Sequence, residues 1–348
     1  MTDADGGDDR PSDRLRARAA ESRTKLWLLL EADRRLVVAG LFVGVFVVLL
    51  VVGMALPTAA DKLRAGDSVG TLFQGFLTAT ITGVTLVLTL NQLVLSQELG
   101  AVGDQRERMA GALEFREDAA ELIEAPVSPA RPSQFLRALV QMAGRRARNL
   151  QSAVDEEHPA HAAVVDLTES LIGNAESVTD DLDGAQFGEF DVLSAALNFN
   201  YSWKIFTAQR IRADHDSLDD EAAAALDSLV DTLELFGPAR EHFKTLYFQW
   251  ELINLSRGIL AAALPALFVA VCMIAFFDPA GVTARSLGVV PVVALASTVA
   301  VLPFLVLLAY VLRIATVTKH TLSIGPFILR ETDQVEEVEW NEDDIESR

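Results

Sequence analysis

The chain of 348 residues has a single cysteine, Cys272, which lies within an apolar run. An intrachain disulfide is therefore impossible, and no cluster of cysteines can hold zinc or an iron–sulfur centre. Lysine is also scarce, so the basic residues are mostly arginine. The net charge is −20, which excludes a nucleic-acid-binding role because phosphate contacts need an excess of Lys and Arg.

The familiar motifs of enzyme chemistry are also absent. The sequence contains no phosphate-binding glycine loop, no serine nucleophile elbow and no paired-histidine zinc helix. His158 and His161 lie three residues apart beside carboxylates, but Pro159 between them favours a turn over a metal site. The sequence therefore predicts a protein that is not an enzyme, with no catalytic residue, no metal and no cofactor.

Charged side chains are missing from four long apolar runs. Each run is close to the roughly 20 residues that a helix needs to cross a bilayer core of about 30 Å. Inside lipid only a helix satisfies its own backbone in such a segment. The predicted fold is all-α, a polytopic membrane protein with a large helical cytoplasmic insert between spans 2 and 3. The four predicted transmembrane helices are residues 36–56, 72–95, 259–277 and 287–312.

The distribution of Lys and Arg predicts the orientation of these spans. Basic residues are concentrated before the first span, and they include Arg34 and Arg35. The two predicted hairpin loops hold few of them, Lys62 and Arg64 in the first loop and Arg285 in the second. Because positive residues near span ends favour the cytoplasmic side, we expect both termini and the insert to lie in the cytoplasm, with the spans in the cell membrane.

The composition between and around the spans predicts the domain organisation. The ends of the chain are rich in polar and acidic residues and hold too little apolar surface to bury. The predicted parts are a disordered segment at 1–22, an interfacial helix at 24–35, transmembrane hairpins at 36–96 and 257–315, a helical cytoplasmic domain at 97–256 and an acidic cytoplasmic tail at 316–348.

Helical periodicity and breakers divide the insert further. The first helix is predicted to continue from span 2 to Glu124, where three prolines break it. Prolines at 265, 291 and 303 predict kinks in spans 3 and 4. The remaining predicted helices begin near Ser133, cover 160–182 and 190–211, begin again at Ser217, and resume after a break at Gly237-Pro238 to enter span 3.

Span 2 carries a polar stripe at steps of three and four residues, which places its members on one face of a helix. In one interpretation the stripe packs against another membrane helix, helped by the small residues Gly75, Ala79 and Gly83. In the other it lines a water-filled path whose hydroxyl and amide groups replace part of an ion's hydration. A single stripe cannot enclose a channel, so the second interpretation requires several copies. The pore-lining candidates are Gln74, Thr78, Thr82, Thr85, Thr89, Gln92 and Ser96.

Two resemblances concern the chain as a whole. Abundant Ala, Val, Asp and Glu with scarce Lys resemble the composition of haloarchaeal proteins, which indicates habitat and not function. The layout of residues 24–325 resembles bestrophins, which are oligomeric anion channels with four spans, cytoplasmic termini and a second span that lines the pore. Flagellar stator channels have a similar insert between spans 2 and 3. The resemblances to bestrophins and to stator channels rest on topology, and neither assigns a functional residue.

Two functional hypotheses follow. The first is a homo-oligomeric channel-like protein with span 2 near the axis, whose partners are the lipid bilayer and further copies of the chain. The second is a non-transporting membrane anchor or sensor whose helical cytoplasmic domain docks a protein partner. No span holds an Asp, Glu, Lys, Arg or His away from its ends, which argues against a proton-driven pump.

Overall fold

A computed structural model describes residues 32–65, 67–98, 100–186, 190–214, 218–279, 281 and 288–320. Every regular element within these ranges is an α-helix. The predicted disordered segment, most of the predicted interfacial helix, Ser217 and the tail beyond His320 lie outside the described residues.

Eleven helices follow one another along the described chain. The first six are α1 (Arg34–Ala55), α2 (Ala59–Arg64), α3 (Ser68–Glu98), α4 (Val102–Leu122), α5 (Pro132–Ala153) and α6 (His161–Leu182). The others are α7 (Phe190–Leu197), α8 (Tyr201–Asp214), α9 (Asp220–Ala275), α10 (Val289–Ala300) and α11 (Leu302–His320). The chain divides into two compact units, an apolar unit of residues 24–108 with 246–317 and a polar unit built from residues 109–245.

Three helices, α1, α3 and α9, are long and apolar enough to cross a membrane, and α10 with α11 makes a fourth if this bent pair is one span. The pair is bent by 47° at Val301, two residues before Pro303. The kink predicted from Pro303 is therefore confirmed, because proline lacks the N–H that would continue the helix. Pro265 lies inside the continuous α9, and Pro291 occupies the first turn of α10, where proline is tolerated.

One face of α3 packs against the rest of the apolar unit. Phe73 is completely buried with Ala270 of α9 and Val293 of α10, and Val87 is buried with Ile259 of α9. Burial of such side chains is worth roughly 1.5–3 kcal/mol each where water is the alternative solvent. In lipid the same contacts stabilise mainly through close packing.

The polar unit has its own hydrophobic core. Leu136 and Leu150 of α5, Leu171 of α6 and Leu229 of α9 have no exposed surface. They belong to one cluster of buried side chains, to which each of these helices contributes an apolar face.

The predicted continuous helix from span 2 to Glu124 is wrong. Helix α3 ends at Glu98 and α4 begins at Val102, with Gly100 in the break. Glycine is among the least favourable residues for a helix interior, and here it separates an apolar helix from a highly charged one. The predicted end is confirmed, because Glu124 adopts a positive φ of 57° and closes the segment.

The helix predicted over 190–211 is two helices in the structure. Residues Asn198 to Asn200 lie between α7 and α8, and Phe199 is completely buried there. The side chain of Asn174 donates to the Asn198 carbonyl at 2.9 Å and accepts from the Asn200 amide at 3.4 Å. A side chain from α6 thus replaces backbone hydrogen bonds that the break removes.

The predicted interruption at Gly237-Pro238 is also wrong, because α9 runs through both residues without a break. Pro238 is exposed, while Phe236 and Ala239 on either side are buried in the core of the polar unit. Tertiary packing on the buried face holds the helix together although proline removes one of its hydrogen bonds.

Candidate functional site

The structure gathers the predicted polar stripe on one exposed face of α3. All seven residues, from Gln74 to Ser96, are exposed within the described chain. The chain buries the opposite face instead, where Phe73, Thr80 and Val87 recur at intervals of seven residues. Helix α3 therefore turns its apolar side toward its own chain and leaves its polar side uncovered.

The threonine hydroxyls of this polar stripe donate to backbone carbonyls of their own helix. Thr78 donates to Gln74 at 3.0 Å, and Thr82 donates to Thr78 at 2.9 Å. Thr85 and Thr89 make the corresponding bonds to the carbonyls of Ile81 and Thr85, each at 2.9 Å. This back-bonding is common for threonine in membrane helices, and it satisfies the hydroxyl hydrogen without another partner.

The small residues predicted to aid helix packing divide into two groups. A methyl group at Gly83 would lie 3.4 Å from the Phe304 ring, an ordinary contact distance, so α11 packs beside this glycine. Gly75 has no neighbouring atom within 4 Å, and the same is true of Gly40 and Gly44 on α1. Since no residue of α1 is buried, this helix also presents an uncovered face with two glycines one turn apart.

A second group of side chains, the ionic cluster, joins three helices of the apolar unit. It consists of Arg34 at the start of α1, Tyr247 and Glu251 of α9, and Tyr310 and Arg313 of α11. The Arg34 guanidinium donates to Glu251 Oε1 at 2.6 Å and to the Tyr247 hydroxyl at 3.1 Å. It also lies over the Tyr310 ring, 5.1 Å from its centre, in a cation–π contact.

The ionic cluster carries two guanidinium groups and one carboxylate. The Glu251 side chain is 1% exposed, and Arg313 is 5% exposed. Burial raises the pKa of the Glu251 carboxyl above its ordinary value, and the guanidinium groups of Arg34 and Arg313 reduce that rise. The hydrogen bond of 2.6 Å to Arg34 and the nearby Arg313 guanidinium favour the ionised carboxylate. The resulting ion pair links α1 to α9.

Sequence reasoning did not identify the ionic cluster. Arg34 and Glu251 are 217 residues apart in the sequence. Each charged residue of the cluster lies near the end of an apolar run, where basic residues predict only the orientation of the span. Glu251 offered the one local signal, because it is a lone carboxylate shortly before the apolar stretch that begins at Ile259.

The polar unit holds a buried lysine beside the break between α7 and α8. Lys204 is 1% exposed, and its ammonium donates to the Asn174 side chain at 3.2 Å. The same ammonium lies 5.8 Å from the centre of the Phe199 ring. These contacts fix the packing around the lysine.

The described residues contain no group of three or more His, Cys, Asp and Glu side chains suited to a metal ion. His158 and His161 instead serve the turn before α6. The His158 ring accepts a hydrogen bond from the Ala160 amide at 3.1 Å, and the His161 ring lies 3.3 Å from the Val154 carbonyl.

Comparison with known proteins gives one match. The model of a family of unknown function, DUF7972, matches residues 1–342, which is nearly the whole chain. No curated protein and no solved structure matches it.

Proposed function

We propose that this chain, which belongs to the DUF7972 family, is a homo-oligomeric membrane channel with α3 beside the axis. The proposal includes four membrane spans, with the bent pair α10 and α11 as the fourth, and places both termini and the polar unit in the cytoplasm. The channel role rests on the exposed face of α3, and the orientation rests on the distribution of Lys and Arg. Neither is taken from a relative, because the family itself has no assigned activity.

The observation that carries the proposal is the direction of the polar stripe. Seven polar residues of a membrane-length helix point away from their own chain, and two of them, Gln74 and Gln92, have side-chain amides. An amide in hydrocarbon without a hydrogen-bond partner costs several kcal/mol, roughly 4–8 on a water-to-cyclohexane scale. Water along an oligomer axis, or a polar helix of another copy, removes that cost.

The uncovered glycines of α1 support assembly from several copies. Gly40 and Gly44 leave a shallow groove on a helix that buries none of its residues within the chain. Glycines four residues apart allow two membrane helices to approach closely, so a neighbouring copy is a suitable occupant of this groove.

The alternative is a non-transporting membrane anchor or sensor whose polar unit docks a cytoplasmic protein. The observation that favours it is the separate core of the polar unit, which gives that unit the means to act as a binding module. The two functions differ in one measurable property, because only the channel conducts ions.

The decisive experiment combines oligomeric state and flux for the full-length protein. We expect a ring of several copies in lipid nanodiscs and ion flux across reconstituted liposomes. Replacing Thr82 or Thr85 by Leu on the polar stripe alters that flux. A monomer in nanodiscs, or identical flux in both stripe variants and the parent protein, overturns the channel proposal.

The proposed orientation has its own test in intact cells. In a Cys272→Ser background, Lys62→Cys places a single thiol on α2, within the predicted hairpin loop between spans 1 and 2. We expect a membrane-impermeant maleimide added outside the cells to label it, because that loop is assigned to the external side. Labelling only after the membrane is opened contradicts this orientation.

A further inference from the structure

We infer that the polar stripe of α3 coordinates cations, and that a pore lined by it conducts small monovalent cations in preference to anions. The inference rests on the proposed function, because the stripe must line a water-filled axis to meet an ion. It adds the class of permeating ion, which follows from the hydrogen-bond directions on the helix.

The hydroxyl groups in the middle of the stripe offer acceptors and not donors. A threonine hydroxyl has one hydrogen and two lone pairs. In Thr78, Thr82, Thr85 and Thr89 the hydrogen is directed at a carbonyl of the same helix, at 2.9–3.0 Å. The oxygen lone pairs are then the groups available to a ligand. Cations bind oxygen lone pairs, whereas an anion needs hydrogen-bond donors that these hydroxyls already use.

The distribution of charge in the sequence also favours a cation. Between Ser68 and Ser96 the sequence holds no Lys or Arg that could retain an anion. The chain as a whole carries a net charge of −20, which raises the local concentration of cations. No Asp or Glu occurs in the same interval, and dedicated sites for divalent cations are usually built with carboxylates. Neutral oxygens therefore fit a monovalent cation.

The two amide residues that flank the four threonines of the stripe do not change this conclusion. Gln74 and Gln92 each carry an acceptor oxygen and a donor NH₂ group, so either class of ion finds a partner there. Selection falls to the run of four threonines between them. The central pair, Thr82 and Thr85, is the best place to test it.

The experiment measures ion selectivity of the full-length protein in liposomes under a potassium chloride gradient. We expect a reversal potential of the sign given by potassium permeation. We also expect the current to persist when gluconate replaces chloride and to fall when N-methylglucamine replaces potassium. Thr82→Val removes the oxygen with little change in shape and lowers potassium current by roughly tenfold, the effect of losing one contact of hydrogen-bond strength. Thr82→Ser keeps the oxygen and retains the current.

A matched control and the possible outcomes separate this inference from the proposed function. Thr80→Val makes the same change on the buried face of α3 and leaves ion selectivity unchanged. Absence of any current from the parent protein overturns the channel proposal itself. Current that prefers chloride, or fails to discriminate, overturns the cation assignment and leaves the channel proposal intact. Equal potassium currents in Thr82→Val and Thr82→Ser also overturn the assignment.

Discussion

Residues of the same type have different roles on the two faces of α3. Thr80 is 2% exposed and faces the chain's own helices, whereas Thr82 is exposed on the polar stripe. Residue type alone therefore gives no role, and the position around the helix decides it. Burial likewise distinguishes the Arg34–Glu251 ion pair from ion pairs on the protein surface.

We predict that Glu251→Gln destabilises the apolar unit. Removing the carboxylate takes away the buried ion-pair partner of Arg34, and breaking a buried ion pair costs roughly 3–5 kcal/mol. Thermal unfolding of the full-length protein in detergent measures the loss as a lower midpoint.

The matched control for this change is Asp227→Asn in the polar unit. Asp227 pairs with Arg212 at 2.8 Å, but their side chains are 60% and 48% exposed. Surface pairs of this kind contribute about 0–1 kcal/mol, so the unfolding midpoint should hardly move. An equal shift in the two variants contradicts the importance assigned to burial.

Single elements in this protein are shaped by contacts with other elements as well as by local preference. Helix α9 passes through Gly237 and Pro238 because its neighbouring residues are buried. The break between α7 and α8 depends on Asn174, which lies 24 residues before the first of its backbone partners. Local breaker signals are strongest where packing is weak, and packing is strong at both of these places.

Adjacent alanine substitutions in α9 should have opposite effects on stability. Pro238 is exposed, so Pro238→Ala restores a helix hydrogen bond without losing a contact and stabilises by up to about 3 kcal/mol. Gly237→Ala normally favours a helix by roughly 1 kcal/mol. Here the new methyl group would lie 3.0 Å from the Tyr201 ring, so we expect destabilisation instead.

Chemical unfolding of both variants, with hydrogen exchange at residues 234–242, measures these effects. Destabilisation by Pro238→Ala, or stabilisation by Gly237→Ala, contradicts the packing described for this part of α9.

At the scale of the whole molecule, the sequence was sufficient for features set by the composition and periodicity of a single helix. Apolar runs predict helices long enough to span a membrane, and steps of three and four residues predict the exposed stripe on α3. The ionic cluster could not be predicted in this way, because Arg34 and Glu251 are 217 residues apart. Their encounter depends on how helices pack, and no spacing along the chain encodes it.

The helix breaks within the insert also depend on packing that a local sequence pattern does not encode. Gly100 lies in the break that separates α3 from α4 after span 2. Pro238, a stronger breaker by intrinsic preference, ends nothing. The difference lies in the surroundings, since Pro238 has buried neighbours on both sides, which a composition-based prediction does not include.

Water access to the exposed face of α3 tests the central claim most directly. In a Cys272→Ser background, a cysteine at Thr82 lies on the polar stripe, and a cysteine at Leu90 lies on the exposed apolar flank of the same helix. The reconstituted protein is treated with a small, charged, thiol-reactive reagent. We expect rapid modification of the cysteine at position 82 and protection by lipid of the cysteine at position 90. Protection of both positions, or equal modification of both, would contradict it.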